Sequence, residues 1–192
     1  KFGVKCLLGP KYQILNKSYQ KKNDIKKKYD LFITVGGYDA NNIIEKVLTS
    51  LVKFEKCFKV LVVLGPATKI TPKIRKIRND FKGEIEIIKK TNHMKKLISQ
   101  SKFGICGGGI TTYEFASLHV SFAIICQYEH QIFTAKAWAK KKIARNLGFV
   151  EQKQEKIDRL ISDIVNKKIS LEKINIDALG SQRISDEISK MG

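Results

Sequence analysis

The chain has 192 residues, of which 43% are hydrophobic, enough for one domain of ordinary size that buries roughly 70% of its unfolded surface. Its formal charge is +19, from 37 Lys and Arg against 18 Asp and Glu, and only five of the basic residues are Arg. Proteins that read base sequence favour the bidentate Arg fork, so this balance argues against that class, and no apolar run approaches the roughly 20 residues that a membrane-spanning helix needs.

Residues 4–8 form a short apolar run closed by Gly9-Pro10. Proline has no N–H to donate, so this run is expected to be an edge element or a linker. The polar stretch 18–29 is expected to be a helical connector. From Leu31 onward strand and helix patterns alternate. Leu31-Phe32-Ile33-Thr34-Val35 is an apolar run, and Ile43, Ile44, Val47, Leu48, Leu51 and Val52 recur at helical spacing after it. Residues 59–64 read as a continuous apolar strand closed by Gly65-Pro66. A helix over 70–81 follows, with Thr68 or Thr71 as its cap and Pro72 in its first turn. Residues 84–88 read as a strand, 92–101 as a helix capped by Asn92, 103–106 as a strand, 110–118 as a helix and 121–126 as a strand. A helix over 130–142 is expected to bury Phe133, Ala137 and Trp138. Phe149-Val150 is expected to be a last short strand, with helices over 155–167 and 178–191. Repeated strand–helix units with wholly apolar strands predict a parallel sheet covered on both faces, with right-handed crossovers.

Two of the strand-to-helix connections are rich in glycine. Gly36-Gly37 leads into Tyr38-Asp39-Ala40-Asn41-Asn42, and Gly107-Gly108-Gly109 leads into Ile110-Thr111-Thr112-Tyr113-Glu114. Taken alone, such a loop is either a tight turn or an anion site, because glycine lets a phosphate approach the backbone and a helix N-terminus favours its charge. Two loops of this kind at the carboxyl edge of one parallel sheet shift the balance toward a ligand. Neither is the G-x-G-x-x-G fingerprint, so no NAD site is read.

The other chemistry-bearing residues are few. Cys6, Cys57, Cys106 and Cys126 have no zinc-like or C-x-x-C spacing, and the apolar settings of Cys106 and Cys126 predict buried free thiols and a reducing, cytoplasmic compartment. His93, His119 and His130 lack metal-ligand spacing, so no metal or other cofactor is expected. Glu114 is either a solvated helix residue or a carboxylate that accepts hydrogen bonds from two vicinal hydroxyls, such as those of a ribose. The lysine runs at residues 17–28 and 140–142 read either as solvated helix faces or as attraction to anionic lipid or nucleic acid. The sequence opens at Lys1 with no initiator Met, so it is expected to be part of something longer.

Gly-Gly-Gly-Ile-Thr-Thr-Tyr-Glu-Phe-Ala-Ser-Leu at 107–118, Phe-Ala-Ile-Ile-Cys at 122–126 and Glu-His-Gln-Ile-Phe-Thr-Ala at 129–135 resemble the C-terminal domain of GT-B nucleotide-sugar enzymes. Gly9-Pro10-Lys11-Tyr12, residues 36–42, Asn92-His93-Met94 and the ending from Asp177 to Arg183 are similar, in order, to the UDP-sugar hydrolases of pseudaminic-acid biosynthesis. The N-acetylglucosaminyltransferase that makes lipid II is a more distant likeness.

The resemblance implies a Rossmann-like doubly wound α/β domain, the C-terminal half of a GT-B enzyme. In it, 1–29 is a linker from a preceding domain absent here, 30–150 binds the UDP-sugar and 151–192 forms C-terminal helices. It implies the diphosphate at Gly36, Gly37, Gly107, Gly108, Gly109, Thr111 and Thr112, and the ribose on Glu114. It further implies the uracil edge at Thr91, Asn92 and Met94, and the sugar or phosphates near His130 and Gln131. The family's general base belongs to the preceding domain, so no residue here is expected to be catalytic. Tyr38 stands where these families usually carry Ser, and His119-Val120-Ser121 replaces their usual Gly-Leu-Pro turn. The expected function is the UDP-binding half of a hydrolase of polysaccharide biosynthesis. A glycosyltransferase of the same architecture, with its lysines on an anionic membrane surface, is the first alternative. A non-enzymatic nucleic-acid-binding module is the second; it offers no reason for the two glycine loops.

Overall fold

A computed structural model describes residues 4–21, 25–149 and 154–190. Six strands form one sheet: β1 (Tyr29–Thr34), β2 (Lys59–Leu64), β3 (Glu84–Lys89), β4 (Ser101–Cys106), β5 (Ser121–Cys126) and β6 (Ala144–Phe149). Their spatial order is β3-β2-β1-β4-β5-β6 and every neighbouring pair is parallel. The helices are α1 (Ile43–Val52), α2 (Pro72–Asp80), α3 (Met94–Ser99), α4 (Thr111–Ser117), α5 (Gln131–Lys140), α6 (Gln154–Val165) and α7 (Gly180–Ser189).

The period-2 alternation of a strand divides the core in two. Leu31 and Ile33 point to one face, with Val60, Val62 and Ile105, and meet α1, α2 and α6 through Ile44, Leu48, Ile74 and Ile161. Phe32 points to the other, with Leu61, Phe122 and Ile124, and meets α3, α4 and α5 through Ile98, Phe115 and Trp138. The sheet is therefore doubly wound, as its apolar strands predict. Phe32, Phe115 and Phe122 are fully buried and interlock, with ring centroids 5.5 and 5.6 Å apart. Each such buried ring contributes about 1.5–3 kcal/mol relative to exposure.

Order 3-2-1-4-5-6 reverses between β1 and β4. Connections from β1 run one way across the sheet and those from β4 run the other, so the loops leaving these two strands part and open a crevice. Those loops are the two glycine loops.

Several elements differ from the sequence reading. The stretch 18–29 is not a helix in its described part: a single 3-10 turn, Lys17–Gln20, is followed by extended chain from residue 25 to β1, and residues 22–24 lie outside the described set. Closely spaced lysines without an apolar stripe give such a helix nothing to pack. Instead Leu15 and Tyr19 insert into the second core. Asn92 does not cap α3. That helix starts at Met94 after His93, and Thr91 Oγ1 accepts the His93 N–H at 3.0 Å, so the turn is closed one residue earlier. Ser101 belongs to β4, not α3. On α5 Phe133 is 80% exposed and Ala137 is exposed, whereas Ala135 and Trp138 are buried with Gln131. The true inward stripe, i, i+4, i+7, begins with a polar residue, which disguised it. The last strand is longer than expected, beginning at Ala144; Val150 and Met191 lie outside the described residues. Thr71 caps α2 as expected, accepting from the Ile74 N–H at 3.1 Å.

Candidate functional site

The site is built at the carboxyl ends of β1 and β4. Gly36 has φ +92°, a left-handed conformation that strains any residue with a Cβ. It turns the chain sharply out of β1. A Cβ placed on Gly36, Gly37 or Gly109 would meet nothing within 4 Å, so open space lies beside the backbone at all three. Gly108 is glycine for a different reason. A Cβ there would stand 2.6 Å from the Gln131 Cβ, so the loop packs directly against the start of α5.

The helix ends around these loops are not equivalent. At α1 the protein supplies its own anion: Asp39 is buried, and its two carboxylate oxygens accept from the Ile43 N–H at 2.8 Å and the Ile44 N–H at 3.0 Å. Burial raises its pKa while those backbone hydrogen bonds pull the other way. The expected anion site at the first helix N-terminus is thus filled from within, and the sequence reading missed Asp39 although an Asp four residues before an apolar helix is a capping signal. α4 has only seven residues. Its loop offers backbone and open space more than a long aligned dipole.

Glu114 lies in the first turn of α4, half-buried, and accepts a hydrogen bond from Tyr19 Oη at 2.8 Å. Burial raises its pKa, and the Tyr19 and Thr111 hydroxyls act against that rise. It is neither a freely solvated helix residue nor a core residue; it is a half-buried carboxylate held by Tyr19. Thr111 is half-buried at the start of the helix. Thr112 is fully buried and its hydroxyl donates to Gly109 O at 2.8 Å, so its side chain shapes the loop.

Gln131 is also buried. Its Oε1 accepts the Gln127 N–H at 2.8 Å and the Gly108 N–H at 3.3 Å. The carbonyl end of Gln131 and the Gly108 amide are therefore engaged with each other. His130 is exposed and stacks on Tyr128, with centroids 5.8 Å apart and ring planes 6° from parallel. Thr91, Asn92 and Met94 lie together on the loop from β3 into α3, Asn92 exposed and the other two half-buried. Among the described residues no group of three or more His, Cys, Asp or Glu is arranged to hold a metal ion, and no helix is long and apolar enough to cross a membrane. Cys106 and Cys126 are free and fully buried, and burial pushes both thiols up in pKa. A cavity of about 420 Å³ lies at the opposite edge of the sheet, lined by Asp30, Phe103 and Ser121 from the strand starts, and shares no residue with the glycine loops.

Residues 30–188 match the Glycosyltransferase family 28 C-terminal domain. The chain belongs to this family. Among curated relatives of this family 28 domain, the spore coat polysaccharide biosynthesis protein SpsG of Bacillus subtilis is 33% identical over 147 residues, covering 76% of this chain and 42% of SpsG. The UDP-2,4-diacetamido-2,4,6-trideoxy-β-L-altropyranose hydrolase of Campylobacter jejuni is 27% identical over 140 residues, covering 72% of this chain and 49% of the hydrolase. The chain thus spans under half the length of each. MurG of Acinetobacter baumannii shares the fold, with a TM-score of 0.66 at 17% identity, over 90% of this chain and 52% of MurG. The Neisseria meningitidis UDP-GlcNAc 2-epimerase, solved bound to UDP-GlcNAc, superposes with a TM-score of 0.56 at 14% identity, over 86% of this chain and 45% of that one. The family 28 domain therefore has the Rossmann-like fold of these two structures.

Proposed function

We propose that this family 28 domain is the UDP-sugar-binding half of a nucleotide-sugar hydrolase of surface-polysaccharide synthesis, acting on an amino-deoxy sugar. The observation that carries the reading is the meeting of two glycine loops at the switch point of the sheet, with open space at Gly36, Gly37 and Gly109. The diphosphate sits against those backbones, with Thr111 beside it. Glu114 takes the ribose hydroxyls, the 91–94 loop takes the uracil edge and His130 faces the sugar side. In the reaction, water attacks the anomeric carbon, the bond from that carbon to the diphosphate oxygen breaks, and UDP leaves with the electron pair. The chain's contribution is to hold UDP and stabilise the charge growing on the leaving diphosphate with fixed backbone dipoles. The general base comes from a second domain across the cleft. In this reading residues 30–150 are the nucleotide-binding unit, 1–29 the lead-in and 151–192 its C-terminal helices.

The likeness to the Campylobacter hydrolase supports hydrolysis. A transferase, in which a sugar or lipid hydroxyl replaces water, is the second reading, favoured by the family's own name. There the lysine-rich surface would meet an anionic membrane. Calorimetry tests the shared core of both. UDP is expected to bind without added metal and more tightly than ADP or GDP. Equal binding of all three, or duplex DNA binding with an affinity that falls about 0.9 log unit per log salt for each phosphate engaged, would overturn it in favour of a generic polyanion binder.

A further inference from the structure

The two glycine loops are not independent turns, because one buried side chain laces them together. Gln127 follows β5, two strands away from β1, and is 8% exposed. Its Nε2 donates to Val35 O at 2.8 Å and Tyr38 O at 3.2 Å, while its Oε1 accepts the Ala40 N–H at 3.2 Å. Carbonyls only accept and amide N–H groups only donate, so the orientation of the Gln127 amide is fixed by its partners. To reach them it passes over the second loop: a Cβ on Gly107 would lie 3.9 Å from Gln127 Nε2. Its own backbone N–H goes to Gln131 Oε1, the oxygen that also accepts the Gly108 N–H. A continuous run of hydrogen bonds therefore joins Ala40 in the first loop, through Gln127 and Gln131, to Gly108 in the second.

We propose that Gln127 is a positioning residue that holds the two glycine loops at the spacing required for one diphosphate to engage both. This rests on the nucleotide-binding reading above. Its physical basis is preorganisation: a ligand that must order two loops loses affinity to that ordering, and a buried brace removes the cost in advance. An apolar core residue would have filled the same space. A side chain that satisfies three backbone groups of one loop fixes that loop's register as well.

The test uses the 192-residue chain with Gln127→Leu and Gln127→Glu, following UDP affinity by calorimetry, melting midpoint, and the glycine amide signals in ¹⁵N spectra across a pH series. Gln127→Leu is expected to weaken UDP about ten-fold or more, as loop-ordering costs of this kind do. Gln127→Glu separates positioning from packing. While protonated, the introduced carboxyl still donates to one carbonyl and accepts from Ala40. Once ionised, it sets a carboxylate against Val35 O and Tyr38 O. The affinity of Gln127→Glu relative to the parent should therefore fall as pH rises. Asp39 in the first loop and Glu129 and His130 beside Gln127 are common to both proteins, so their contributions cancel from that ratio. The amide signals of Gly36, Gly37, Gly107 and Gly108 should shift with the same midpoint.

Parent-like UDP binding by both variants would overturn the proposal. So would a loss of affinity that only follows the melting midpoint, or shifts confined to Gly36 and Gly37. If the parent itself binds no UDP but the glycine signals of both loops move together in Gln127→Glu, the brace stands and the nucleotide reading falls.

Discussion

Tyr19 and Glu114, 95 positions apart in sequence, meet through a 2.8 Å hydrogen bond in which the phenol donates to the carboxylate. Tyr19 is 4% exposed and comes from the segment that precedes the sheet, so the Glu114 carboxylate is oriented from outside the strand–helix repeat. In the proposed reading it is the ionised form of Glu114 that accepts from two ribose hydroxyls. Its pKa is raised by burial, and the Tyr19 hydrogen bond works against that rise. Affinity for UDP is therefore present above that pKa and lost as pH falls through it. Tyr19→Phe removes one stabiliser of the ionised form, so its loss should begin at higher pH than in the parent. The check is the ratio of variant to parent dissociation constants, in which the titration of UDP itself cancels. It should widen as the solution is acidified. A ratio flat with pH would leave Tyr19 as a packing residue.

Glu114→Ala should weaken UDP about ten-fold or more, because a hydrogen bond to a charged group contributes about 1.5–3 kcal/mol. Glu172→Ala is the control, an exposed carboxylate far along the chain. The two variants should separate in calorimetry while both keep the parent's circular dichroism. Equal affinities would remove Glu114 from the site.

The adjacent glycines Gly108 and Gly109 should respond differently to alanine. At Gly108 the added methyl would meet the Gln131 Cβ at 2.6 Å, so Gly108→Ala should cost about 1–3 kcal/mol of stability, at about 2–4 °C of melting midpoint per kcal/mol. At Gly109 nothing lies within 4 Å. Gly109→Ala should therefore melt within about 0.5 kcal/mol of the parent yet weaken UDP, since its methyl enters the space the phosphate approaches. A parent-like UDP affinity for Gly109→Ala would show that the open space is not the ligand's.

The C-terminal helix offers a separate acid response. Arg183 forms a two-pronged pair with Asp177 and donates to Lys11 O at 2.9 Å, tying α7 to the segment before the sheet. The guanidinium holds the Asp177 carboxyl down at about 2. A depressed carboxylate contributes stability that is present above the ordinary Asp range and lost as pH falls toward 2. Arg183→Leu should flatten the fall in melting midpoint between about pH 4 and pH 2. The change should be modest, because the pair is partly exposed and screened.

The sheet and its winding were legible because fully apolar strands and glycine punctuation report the parallel core directly: the predicted strand over 121–126 matches β5 end for end, and Thr71 caps α2. Fixed tertiary partners were not legible. Gln131 and Thr112 suit a phosphate by residue type, but that Gln131 Oε1 and the Thr112 hydroxyl bond neighbouring backbone depends on loop spacings that no sequence period encodes. Gln127 carries no signal in the sequence, since its partners lie 87 to 92 positions away. Tyr19 was hidden in a lysine-rich stretch whose composition pointed to solvent.

The last prediction concerns turnover. His130 is exposed and stacked on Tyr128, and His93 is exposed at the start of α3, so neither is held by a second group in the way a general base must be. Glu114 is committed to Tyr19, and Asp39 to the amides of α1. The 192-residue chain should therefore bind UDP-sugar but release no UDP above the uncatalysed background in a single-turnover assay. Supplying the domain proposed to precede it, fused or as a separate chain, should restore release, because in the proposed reaction the attacking water is activated from across the cleft. Robust release by the chain alone would place the base here, and His130→Ala and His93→Ala would then identify it.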